Sequence, residues 1–203
     1  MEILETHFFT IDLLVGFSLP VYIHLRHRSG SDGAGVIRLF WLGVAIGLTW
    51  EIPIFLSAVF AANPVVGFLR EPPLHPFVFM VAHAFWDGGL FLAGLALVRA
   101  LCRHPVLTSF RWPELAVLIL WGQASELAVE IVSVLNQGWV YDGGQAWNPV
   151  LFQVAGHPIT AVPQLIWLAA PVAYYFCALS LVRHAPTARH PLDPRSSTGV
   201  DVS

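Results

Sequence analysis

Five apolar runs, each long enough to cross about 30 Å of hydrocarbon, dominate the chain: Phe8–Leu25, Ile37–Ala62, Phe77–Leu101, Glu114–Leu135 and Thr160–Val182. Runs of this length leave few options. Within lipid every backbone polar group needs an internal partner, so only helices and closed barrels span. Segments this long select helices. The sequence therefore predicts an all-α fold, a polytopic membrane bundle of five transmembrane helices forming a single domain over residues 1–184. The polar, Pro-rich stretch 185–203 is expected to be a disordered cytosolic tail. Composition agrees, with 56% hydrophobic and only 11% charged residues, against roughly 25% charged in a soluble domain. That balance excludes a disordered chain, an ordinary soluble enzyme and a nucleic-acid binder with a basic face.

Arginine placement gives an expected orientation. With alternating spans, Arg26, Arg28, Arg38, Arg99, Arg103, Arg111, Arg183, Arg189 and Arg195 fall on one side, and only Arg70 on the other. The excess of basic residues marks the cytosolic side, so the N-terminus is expected outside and the C-terminus in the cytosol. Glu2 and Glu5 precede the first run without a basic residue, the wrong charge for a cleavable signal peptide. The chain reads as an integral, multi-pass protein, with a bacterial cytoplasmic membrane favoured, or the endoplasmic reticulum if the source is eukaryotic. Cys102 and Cys177 set neither a disulfide framework nor a thiolate metal site. Asn148–Ile159, apolar but broken by Pro149, Gly156 and Pro158, is expected to extend the fifth helix or to lie at the interface. Gly43 and Gly47 form a small-xxx-small pair suited to close helix packing.

Acids inside the runs carry the functional argument. Asp12, Glu51, Asp87, Glu126 and Glu130 lie within spans that hold no lysine and whose only arginines, Arg38 and Arg99, sit at span ends, away from these acids. A charge at the bilayer centre costs at least ~2.5–3.5 kcal/mol on insertion scales. Such groups persist by facing the bundle interior, by holding a proton or by lining a wet cavity. Glu51, Asp87 and Glu126 fall near the middle of three consecutive helices and so share one level. His83 and Asp87 are four apart and share a helix face, as do Gln123, Glu126 and Glu130. Gln164 and Trp167 belong to the same half of the fifth helix. Asp12, about one turn from its helix end, reads as a solvated or capping group, and Glu130 as hydrated near the interface. Trp41, Trp112, Trp139 and Trp147 suit interfacial belts, whereas Trp50, Trp86, Trp121 and Trp167 lie deeper.

Acid, base and aromatic wall together suit chemistry that passes through a carbocation, because a Trp face attracts a cation within about 6 Å of its centroid. They equally suit binding of an amphiphilic amine. No phosphate loop, nucleophile elbow or H-E-x-x-H motif is present, and no metal or cofactor is expected. A proton-coupled transporter would need more than one small bundle, and no paired broken helices are visible.

These residues also carry a resemblance. Trp86-Asp87-Gly88 leads an apolar run that ends in Arg103-His104-Pro105-Val106-Leu107; Gly122-Gln123 sits in the fourth run; Gln164, Trp167 and Pro171 have the spacing of an Asn-x-x-Trp-x-x-x-Pro stretch. Over roughly residues 37–184 this order resembles the emopamil-binding, or EXPERA, group of sterol Δ8–Δ7 isomerases and sterol-binding membrane proteins, with Glu51 where that group carries an acid. Gly47 replaces a His of the pattern, its third-helix Glu has no acidic match, and Gln164 replaces its Asn. The pairs Trp50-Glu51 and Trp86-Asp87 also look like those of small membrane-embedded terpene cyclases. Both resemblances imply protonation of an isoprenoid-derived lipid. On this reading Glu51 donates the proton. Asp87, oriented by His83, is base or second acid, and Glu126 completes the relay. Trp50, Trp86 and Trp167 shield the cation, Gln164 positions a substrate hydroxyl, and Gln123 and Glu130 complete the substrate site. The expected partner is a lipophilic isoprenoid or sterol-like molecule within membrane lipid, not a nucleic acid, and a homodimer is possible. The alternative is a binding protein that performs no chemistry on sterols or cationic amphiphiles.

Overall fold

The computed structural model describes residues 2–30 and 34–184; the tail expected over 185–203 lies outside the described residues. Five helices carry the chain: α1 (Glu2–Arg28), α2 (Ala34–Phe60), α3 (Pro76–Leu101), α4 (Trp112–Leu135) and α5 (Ala161–Arg183). All five are long and apolar enough to cross a membrane, which makes this a multi-pass membrane protein by length and composition. Most extend past the apolar runs, because a helix continues into the interface for as long as its backbone bonds stay paired. Pro76 and Pro113 open α3 and α4 at positions where no helical N–H is required.

α3 is the central helix, packed on α1, α2 and α4, while α5 bridges α4 and α2. Glycine makes the α2–α3 contact close. A Cβ on Gly43 would lie 2.9 Å from the Gly88 Cα, and one on Gly47 would collide with the Asp87 carboxyl. The packing reading of Gly43 and Gly47 fits this seam. The largest core cluster fills the half of the bundle that bears most of the arginines. Phe91, Leu95, Val98, Leu115, Leu118, Tyr174, Tyr175 and Ala178 pack there without exposure to speak of. Beneath it the α3–α4 loop is tied down by Glu114, which is fully buried. Its Oε2 accepts from the Leu107 N–H at 3.2 Å and from the Tyr175 hydroxyl at 2.9 Å.

The all-α expectation needs amending at the opposite end. β1 (Val66–Phe68) pairs antiparallel with β2 (Trp139–Tyr141), joining the α2–α3 connection to the α4–α5 connection. β3 (Val150–Val154) and β4 (His157–Thr160) form a hairpin whose turn, Ala155–Gly156, has φ of +50° and +81°. The stretch Asn148–Ile159 therefore does not extend the fifth helix. Its prolines and the positive-φ turn at Gly156 break a helix but suit a hairpin. Asn148, fully buried, ties the hairpin down: its side-chain amide donates to the Asp142 carbonyl and its Oδ1 accepts from the Val162 N–H.

Candidate functional site

A cavity of ≈ 330 Å³ lies among the helices, beneath the β1–β2 sheet. This is at the lower end of the roughly 300–1,000 Å³ of small-molecule sites. Its acids come from four helices: Asp12 from α1, Glu51 from α2, Asp87 from α3 and Glu126 from α4. At 1.5 Å of rise per residue, these four lie about 2–6 Å from their helix midpoints, all displaced toward the end that carries the strands. The expected convergence of Glu51, Asp87 and Glu126 is present, and each residue is less than a tenth exposed. Trp50, Trp86 and Trp167 line the same cavity. Trp50 and Trp167 meet edge to face at 5.9 Å, and Phe91 stacks behind Trp167 at 5.3 Å. Ile54, Leu90 and Ile166 are among the aliphatic side chains that fill out the walls.

The hydrogen bonding departs from the sequence reading at its centre. His83 does not orient Asp87. Its Nε2 lies 3.1 Å from Asp12 Oδ2 and its Nδ1 lies 3.8 Å from Glu51 Oε2. The imidazole thus bridges α1 and α2, and Asp12 is a largely buried partner of the site rather than a solvated cap. Asp12 also anchors Trp86, whose indole N–H donates to the Asp12 carbonyl at 3.1 Å. The cause is the packing of α1 on α3: Gly16, one turn below Asp12, abuts the Ala82 backbone and brings the two helices close enough for the bond. The stripe Phe8, Asp12, Gly16, spaced by four, was the signal in the sequence. Asp87 is left with a buried Oδ2 that has no hydrogen-bond partner, a state that costs roughly 1–3 kcal/mol and leaves an oxygen free to react.

Glu130, Gln164 and Gln123 form a separate chain of bonds outside the main cavity's lining. The Gln164 amide donates to Glu130 Oε2 at 2.9 Å, and the Gln123 amide donates to the Gln164 carbonyl at 2.8 Å. Glu130 is 3% exposed, so it is not hydrated at the interface as the sequence suggested. The Gln164 side chain that was expected to position a hydroxyl is engaged with it. These bonds cross between α4 and α5, where Gly122 lets the Trp167 carbonyl and Pro171 approach.

Two lining residues escaped the sequence reading. Trp139 is buried in the cavity's cover, not in an interfacial belt, with its ring 4.7 Å from that of His83. Its N–H donates to Ser133 Oγ at 2.7 Å and its carbonyl accepts from the same hydroxyl at 2.8 Å. Tyr141 joins it on β2. Burial pushes the Tyr141 phenol well above its ordinary range, and Glu126, Glu51, Glu130 and Asp87 add to the shift. It therefore faces the cavity as a neutral hydroxyl. Their alternation in Trp139-Val140-Tyr141, just after a helix end, is a short strand pattern. Among the described residues no group of three or more His, Cys, Asp and Glu side chains is arranged to hold a metal ion.

No protein-family profile, curated protein or solved structure matches the chain.

Proposed function

We propose that the cavity is the active site of an intramembrane acid–base enzyme acting on an isoprenoid or sterol-like lipid. The observation that carries this reading is the convergence of Asp12, Glu51, Asp87 and Glu126, with His83, on one tryptophan-lined hollow in an apolar bundle. Glu51 transfers its proton to one carbon of a substrate double bond, and the π electrons form the new C–H bond. The cation left on the other carbon lies against the faces of Trp50, Trp86 and Trp167, a contact worth about 2 kcal/mol when desolvated. Asp87, with an unpartnered oxygen, then takes a proton from the neighbouring carbon, and the released electron pair becomes the shifted double bond. If a second double bond attacks the cation first, the same proton loss ends a cyclisation. No oxidant or reductant is consumed. His83, held by Asp12 and close to Glu51, gives a proton to Glu51, and the proton taken by Asp87 passes through Glu126 back to His83, so each turnover leaves the four groups as they began. The resemblance of the motif order around Glu51, Trp86-Asp87 and Trp167 to that of the emopamil-binding sterol isomerases is a second support for the reading.

Deuterium provides the test. Purified protein is incubated in D₂O-equilibrated membranes with a Δ8-sterol and, separately, with a linear polyprenyl lipid. Products are resolved by mass spectrometry. The wild type is expected to place one deuterium on carbon. Glu51→Gln should lose at least about 10²-fold in rate, the lower range for a general acid, and Asp12→Asn should slow the reaction through His83. Wild-type deuteration by Glu51→Gln would refute the mechanism. Bound lipid recovered unchanged and undeuterated from the wild type would favour the binding-protein reading.

A further inference from the structure

The geometry points to a lateral portal between α1 and α4 through which an isoprenoid-type lipid passes from the bilayer into the cavity. The inference rests on the cavity taking a lipid, and adds where that lipid comes from. The water-facing end is covered. β1 and β2 tie the two connections together by main-chain bonds, Trp139 is pinned twice to Ser133, and Phe9, Val66 and Phe79 are each no more than 3% exposed. Aromatic contacts close the remaining space, with Phe8 against Trp139 at 5.4 Å and Phe9 against Phe79 at 5.2 Å.

The flank is different. Ile11 on α1 and Val129 and Val132 on α4 line the cavity, yet are 40%, 37% and 43% exposed, where the other aliphatic walls Ile54 and Leu90 are not. α1 packs mainly on α3 and α2, and α4 on α5 and α3, so neither of these strong contacts closes the gap between α1 and α4. With each helix midpoint taken as the bilayer centre, Ile11 lies about 6 Å above it, Val129 about 8 Å and Val132 about 13 Å. The hydrocarbon half-thickness is about 15 Å. The opening therefore faces acyl chains, and its rim is aliphatic. A lipid crossing it leaves one apolar medium for another and desolvates no polar group until it meets the carboxyls. A water-soluble ligand would first have to dissolve in the bilayer.

The experiment times admission directly. The full chain, in phosphatidylcholine vesicles, receives a farnesol analogue carrying a diazirine. Samples are irradiated at intervals and labelled peptides are mapped by mass spectrometry. In the wild type the label should reach cavity-lining segments of α2 and α3. Val129→Trp and Val132→Trp, which narrow the rim, should slow that labelling at least about tenfold, within the one to three decades over which association rates vary among variants of one site. The final extent, read after long incubation, should fall by a smaller factor than the rate. Leu168→Trp, an exposed position of α5 outside the cavity lining, should label at the wild-type rate. Wild-type labelling rates in both rim variants would overturn the portal while leaving the catalytic reading intact, since deuterium placement by the same variants reports on that separately. Failure of the wild-type cavity to label at all would overturn both.

Discussion

Replacing Gly47 with alanine should loosen the α2–α3 seam on which the site is built. The added Cβ would lie 2.8 Å from the Asp87 Cβ and 2.9 Å from its Cγ, and would also strike the carboxylate oxygen. The Asp87 Cβ is fixed to the α3 backbone, so side-chain rotation cannot relieve the clash and the helices must separate. Overpacking of this kind costs about 1–3 kcal/mol, and the closeness of these contacts argues for the upper end. Alanine recovers about 1 kcal/mol through helix propensity. The net loss is about 2 kcal/mol, or about 4–8 °C in Tm for a chain of this size. The assay is thermal unfolding in detergent, followed by circular dichroism. Gly35→Ala is the control, since a Cβ there meets nothing within 4 Å, and its Tm should hold or rise slightly. In an Asp87→Ala background the Gly47→Ala penalty should shrink, because the carboxyl part of the clash is gone. A Gly47→Ala protein as stable as the wild type, or an equal penalty in both backgrounds, would refute the reasoning.

Two further outcomes follow from the cover of the cavity. Ser133→Ala removes the hydroxyl that both accepts from and donates to the Trp139 backbone, leaving a buried N–H unpaired at a cost of about 1–3 kcal/mol; amide exchange at Trp139 should accelerate accordingly, and unchanged protection would contradict the assignment. Tyr141 holds its proton more tightly folded than unfolded, so its contribution to stability is complete below the unfolded value near pH 10 and is lost as pH rises through the folded one. Tyr141→Phe should therefore unfold less steeply than the wild type in an alkaline titration read by circular dichroism, with identical alkaline transitions as the contrary result.

The helices were legible because span length is a one-dimensional property, and so was the common level of Glu51, Asp87 and Glu126, which needs only residue counting along helices. Partnership was not. His83 and Asp87 share a face of α3, but which neighbour the imidazole meets depends on how α1 and α2 approach, and that is decided by Gly16 against Ala82 and Gly47 against Asp87. Asp12 looked terminal because its span was drawn from hydropathy, whereas α1 begins at Glu2 and buries Phe8 and Phe9. The strands were missed because each covers five residues or fewer, too short for periodicity to register. The Ala155-Gly156 turn between Val150–Val154 and His157–Thr160 was the readable sign of one hairpin. Gln164 shows the remaining limit: position on the right half of α5 was inferable, but its bond to Glu130 was a matter of rotamer.

The packed half of the bundle around Phe91, Tyr174 and Tyr175 has a consequence for traffic across the membrane. Among the described residues it packs the hollow off from the far face. Under the proposed function, a lipid admitted from one leaflet would leave, altered or not, into that same leaflet.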